Sequence, residues 1–237
     1  MMMTSKRRNN KRQRGRGRRS RGAITGWKPT STASGVRLNT FGGDNKISYV
    51  TRSAYADVTL NGSTTLFYGL SFNVQGYYLG ATFVSWTSGA ADVPALFDFY
   101  RIVRVEVTVL FNNNFSQLNT TTYTLPYVFD AVDYNDANLT AVGDIAQRAT
   151  AEMHIANSNG IVFTRSFTPR AQLACYGSAG TGYAEADLNT FFNSNSTVTP
   201  LHYGLKVALD GSQSSGVNPL GAFRFFVKAL FECKEPK

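Results

Sequence analysis

Arg101-Ile102-Val103-Arg104-Val105-Glu106-Val107-Thr108-Val109-Leu110-Phe111 is the stretch on which the fold turns. Val103, Val105, Val107, Val109 and Phe111 recur at every second residue, opposed by Arg104, Glu106 and Thr108. Period two puts each set on one face of a β-strand, and β-branched residues suit the pleat. Three other segments repeat the pattern. In 65–75, Leu66, Tyr68, Leu70, Phe72 and Val74 share a face. In 201–210, Leu201, Tyr203, Leu205, Val207 and Leu209 oppose His202, Lys206 and Asp210. In 222–232, Phe223, Phe225, Val227, Ala229 and Phe231 oppose Arg224, Lys228 and Glu232.

Weaker strand signals lie at 46–60, 123–132, 150–156 and 161–168, which brings the set to eight. The joins are rich in Asn, Asp, Gly, Ser and Pro, and three of them (76–92, 112–122 and 169–200) read as long and irregular. Short helices are predicted near 93–100, with Pro94 in the first turn, and near 140–148. The reading is all-β: an eight-stranded antiparallel jelly-roll sandwich over 46–237, preceded by a linker at 23–45 and a disordered basic N-terminal arm at 1–22. Trp27 is the lone aromatic of the linker and a candidate anchor.

Charge is divided along the chain. Lys6, Arg7, Arg8, Lys11, Arg12, Arg14, Arg16, Arg18, Arg19 and Arg21 give residues 1–21 ten cations and no acid. The remainder carries 14 basic and 15 acidic side chains, so the net +9 resides on the arm. Like charges and Gly keep such a segment unfolded until it meets a polyanion. Its Arg and Lys neutralise phosphates with little regard for base sequence, so these ten residues are the expected nucleic-acid-binding site. The same run reads as a nuclear localisation signal. A neutral body suits copies that must pack side by side. No apolar run approaches the length that spans a membrane, and the N-terminus lacks a secretory pattern.

Asp130, Asp133 and Asp136 recur at spacing three, which makes them the only metal candidates. The loop lacks the glycine and closing glutamate of an EF-hand, and a solvated loop is the simpler reading. Gly177-Ser178-Ala179-Gly180-Thr181-Gly182 has no following Lys-Ser/Thr, so it reads as a flexible loop and not a phosphate cradle. His154 and His202 have no neighbouring motif of a hydrolase or metalloenzyme, and His202 falls on the polar face of its strand. No catalytic site and no cofactor are expected. Cys175 and Cys233 read as two thiols, with one disulfide as the alternative. Sequons at Asn61, Asn114, Asn119, Asn138 and Asn195 read as loop chemistry. Phe67, Phe226 and Leu230 fall on otherwise polar faces, where either a neighbouring subunit or a second core layer covers them.

The stretch Phe97-Asp98-Phe99-Tyr100-Arg101-Ile102-Val103-Arg104-Val105 resembles the aromatic-Tyr-Arg-Ile segment of capsid proteins from circular single-stranded DNA viruses of the circovirus-like (Rep-encoding) group. The run from Pro126 through Asp130, Asp133, Tyr134, Asn135, Asp136 and Ala137 is similar to that group's acidic loop, with Asn135 where an acid is common. Phe167-Thr168-Pro169-Arg170 resembles a strand-ending aromatic-x-Pro-basic element, and the Arg-rich N-terminus fits, though it is short. The resemblance covers most of 97–175. It implies a self-assembling viral coat protein, T=1 icosahedral, a homo-oligomer of sixty copies around a single-stranded genome. It also implies residence in the virion and, during assembly, in the host nucleus. DNA stands ahead of RNA, yet coat proteins of small plus-strand RNA plant viruses share the arm and the jelly roll, so both remain open. The host receptor is not legible. The alternative is a cellular single-stranded nucleic-acid-binding β protein, which would show stacking aromatics and cations on the domain itself.

Overall fold

The computed structural model describes residues 37–38, 47–87, 92–113, 125–134, 139–156, 160–177, 180–195, 200–212 and 220–236. In chain order the elements are β1 (Arg37–Leu38), β2 (Ile47–Leu60), β3 (Thr65–Phe72), β4 (Gly76–Leu79), β5 (Thr82–Ser85), α1 (Asp92–Leu96), β6 (Phe97–Asn113) and β7 (Tyr127–Val132). There follow α2 (Val142–Ala146), β8 (Glu152–Ile155), β9 (Ile161–Phe167), β10 (Arg170–Gly177), β11 (Gly180–Glu185), β12 (Phe192–Asn193), β13 (His202–Asp210) and β14 (Gly221–Pro236).

All eight strands read from the sequence form. β2–β14–β6–β9 make one sheet and β3–β13–β7–β8 the other, every neighbour antiparallel. Of these eight, only β7 and β8 are consecutive in the chain and paired in one sheet; every other step crosses between sheets. That is jelly-roll connectivity. The inner faces meet in one core that includes Phe72, Tyr77, Tyr100, Val105, Val107, Val109, Phe223, Phe225 and Phe231. Each such side chain contributes roughly 1.5–3 kcal/mol by leaving water.

Two β-bulges reverse expected alternation. On β6 the register slips between Leu230 and Phe231 of β14, so Ile102 enters the core and Val103 does not. The Val103 carbonyl accepts from Thr168 Oγ1 at 3.0 Å. On β13 the register slips at Gly204, which turns His202 into the core, against the polar placement expected of it. A Cβ on Gly204 would stand 2.3 Å from the Phe167 ring, so only glycine fits. Alternation alone cannot see a bulge, because the inserted residue leaves composition unchanged.

Other expectations are corrected. The helix near 93–100 stops at Leu96, because Phe97 and Tyr100 are buried and the β14 ladder reaches back to Phe97. The join at 76–92 contains the β4–β5 hairpin. It is entered through Asn73, whose Oδ1 accepts from Gln75 N (2.8 Å) and Gly76 N (2.9 Å). The join at 169–200 contains β10, β11 and β12, and the glycines of the glycine-rich run belong to the β10–β11 ladder, with Gly177 paired to Gly180 and Gly182 to Cys175. Phe67 packs, with Phe129, Leu139 and Val142, against Ala131, Ile145 and Ala208, a second small core that includes α2. Phe226 and Leu230 are half-buried on the outer face of the β14 sheet.

Candidate functional site

β8 is built inside out. Its sequence Glu152-Met153-His154-Ile155 alternates, but Met153 is 58% and Ile155 54% exposed. The register sets Glu152 opposite Asp130 and His154 opposite Val128, so both polar residues share the Asp130 face, His154 partly buried and Glu152 exposed at the edge. There Asp130, wholly buried, accepts from His154 Nε2 at 2.7 Å and from Arg165 Nε of β9. Arg165 Nη1 donates to Glu152 Oε1 at 2.6 Å, and the His154 ring stacks on Phe163 at 4.8 Å. Arg165 belongs to one sheet and its carboxylate partners Asp130 and Glu152 to the other, so the network ties the sheets together at the β8–β9 end. A buried carboxylate is costly unless paired, and the Arg165 guanidinium with the His154 imidazole meets that need.

Asp130, Glu152 and His154 could each turn one ligand atom to a common metal, all within 4.8 Å. The Arg165 guanidinium already bridges both carboxylates and supplies the compensating positive charge. Asp133, the second residue of the sequence candidate, pairs instead with Arg148 at 3.2 Å, and Asp136 lies outside the described residues. His202 packs against Tyr100 and Phe192, and burial pushes its pKa down to about 4. Cys233 is a free, buried thiol, with its pKa pushed up to about 12 by desolvation.

At the far end of the β14 sheet, Arg101 donates to Glu232 at 2.7 Å through Nη2 and to the Leu188 carbonyl and Asn189 Oδ1 through Nη1. Phe191 lies beneath both Arg101 and Lys234, at 5.1 and 3.8 Å. One side chain thus pins the 187–193 segment to β14.

No family model matches the chain, and no curated protein matches it in sequence. Among solved structures, the 60-mer BFDV capsid protein superposes with a TM-score of 0.59 at 12% identity, over 82% of this chain and 96% of that one. The decameric BFDV capsid protein gives 0.50 at 14% identity, over 80% and 99%. This is the fold of a viral capsid protein.

Within that capsid fold, the residues of the aromatic-Tyr-Arg-Ile segment acquire separate tasks. Phe97, Tyr100 and Ile102 are buried in the core, while Arg101 points outward to Glu232 and the 187–193 segment. Phe167 closes over Gly204, and Arg170 opens β10 with its guanidinium 4.5 Å from the Tyr134 ring. The ten arm cations, Lys6 to Arg21, and Trp27 lie outside the described residues. Sequence reasoning treated His154 as isolated and missed the Asp130–His154–Arg165–Glu152 network. Its members lie on three strands, but one signal was present: β8 alternates with its polar residues where the neighbouring strand turns Val128 and Asp130 inward.

Proposed function

We propose that the chain is a viral coat subunit that self-assembles into a small closed shell and holds a single-stranded genome with its arm. The observation that carries this reading is the coincidence of two features: a body with the capsid fold, and a charge excess confined to residues 1–21. The body, neutral apart from one surplus acid, can be packed in many copies without long-range repulsion. Sixty copies in a T=1 icosahedron would turn roughly 600 arm cations toward one nucleic acid, so weak single contacts add to tight retention. DNA is the first choice of genome and RNA the second. The subunit works in the virion, with the arm also serving as a nuclear signal before assembly, and its role is structural, not enzymatic.

The test is the nucleic acid that co-purifies with the expressed chain. We expect single-stranded material, protected from nuclease until the particle is opened. Affinity for single-stranded oligonucleotides should fall linearly with salt on logarithmic axes, with little dependence on sequence. Removing residues 1–21 should abolish binding and leave the far-ultraviolet spectrum unchanged. A truncated body that binds with the same salt slope would contradict the arm's role and favour a binding surface on the domain.

A further inference from the structure

We propose that β8 is a pairing edge for a second copy of this chain, joined antiparallel across a two-fold axis centred on Met153. The inference deepens the assembly reading and rests on it.

Three observations meet on this strand. The first is its open edge: among the described residues β8 pairs with β7 alone. Ala156 N donates to the Pro126 carbonyl at 2.9 Å, so alternation points the backbone groups of His154 and Glu152 toward β7. Those of Met153 and Ile155 therefore point away, toward the open side. An exposed edge of this kind templates another strand. The second is exposure at that edge: Met153 and Ile155 stand more than half exposed, with Glu152 also open to solvent. A strand that shows its apolar side to water needs a cover.

The third observation identifies the cover. In an isologous antiparallel pair, a register centred on Met153 sets each Glu152 opposite the other copy's His154, and each Ile155 opposite the other copy's Ala151. Carboxylate meets imidazole twice on the inner side, and apolar meets apolar on the outer side. Centring on Glu152 or His154 would place like against like, which is destabilising. The strand carries no Lys or Arg and one carboxylate, Glu152, which repels phosphate, so nucleic acid is not the occupant. Open edge, exposed apolar side and a register that sets polar against polar and apolar against apolar all describe the same strand approaching itself.

The test is disulfide trapping in the full chain carrying Cys175→Ser, with Cys233 buried and silent. Met153→Cys places two thiols at directly opposed positions, whose Cα separation in such a pair, about 5.5 Å, suits a disulfide. On mild oxidation most of this variant should run as a covalent dimer. Ile155→Cys alone should remain monomeric, because its partner position is 151, and adding Ala151→Cys should restore the cross-link. Met153→Glu should stay folded by far-ultraviolet spectrum and lose association. Absence of the Met153→Cys link, or equal linking by Ile155→Cys alone, overturns the pairing. Particle images read the parent hypothesis separately. Intact shells without the link contradict the edge contact only, and linked dimers without shells contradict the shell only.

Discussion

β14 and β8 obey the same period and opposite rules. In β14 Ala222, Arg224, Phe226, Lys228 and Leu230 lie on the outer face, at least partly exposed, and Phe223, Phe225, Val227, Ala229 and Phe231 fill the core. In β8 Met153 and Ile155 meet solvent, His154 turns in to Asp130, and Glu152, itself about half exposed, reaches Arg165. β14 lies between β2 and β6 and has hydrophobic strands opposite it, so transfer of apolar surface decides its orientation. β8 lies at an edge opposite Asp130 and Arg165, where a buried carboxylate must be satisfied, and electrostatics decides. Alternation defines two faces; what stands across the gap selects which of them is inner.

Substitutions on the two strands should differ most in the core. Phe225 is fully buried and meets Tyr68 edge-on at 6.1 Å. Phe225→Ala should cost roughly 3–5 kcal/mol in subunit unfolding by denaturant. Met153→Ala on β8 should change it by less than about 0.5 kcal/mol. Similar losses at both positions would erase the distinction between the strands.

Next, Arg165→Met should destabilise the subunit by roughly 2–4 kcal/mol, because it leaves the Asp130 carboxylate buried with one cationic donor fewer. The double variant Arg165→Met with Asp130→Leu should recover much of the loss, as expected when the cost is an uncompensated charge. No recovery would show that Arg165 acts through packing.

A pH dependence follows from His202. Burial lowers its folded pKa to about 4, so the unfolded chain takes up a proton first as pH falls. The contribution is intact above the ordinary histidine value of about 6.5 and is lost as pH drops from there toward the folded value. Urea midpoints between pH 7 and 4 should therefore decline, and His202→Asn should flatten that part of the profile. An unchanged slope in the variant would assign the decline to other groups.

The smallest effect belongs to the outer face of β14. Arg224 pairs with Asp57 at 2.7 and 2.8 Å, but both are about half exposed. Arg224→Ala should leave the unfolding midpoint almost unmoved, since water screens such pairs.

These contrasts also show what the sequence could reveal. Strand positions were legible because Val105, Val107 and Val109, or Phe223 and Phe225, declare their period without help from the rest of the chain. The orientations of Val103 and His202 were not, because each depends on a one-residue bulge fixed by partners far away, Phe231 in one case and Phe167 beside Gly204 in the other. The hairpins at 76–85 and 170–185 were hidden by short, mixed sequences whose pairing is settled by tertiary contacts. The charge network was hidden for a related reason. Asp130 looked like the start of a solvated acidic loop, and only the fold places it against Arg165 and His154.

Closure of this jelly roll on itself in many copies, as we propose, is read most directly from the mass of what the purified chain forms. Native mass spectrometry or mass photometry at neutral pH should find one uniform species. Sixty copies of a 26.0 kDa subunit weigh about 1.6 MDa before any nucleic acid is counted. Images should show shells of a single diameter. A 26.0 kDa monomer that persists at high concentration across pH and salt would contradict the account.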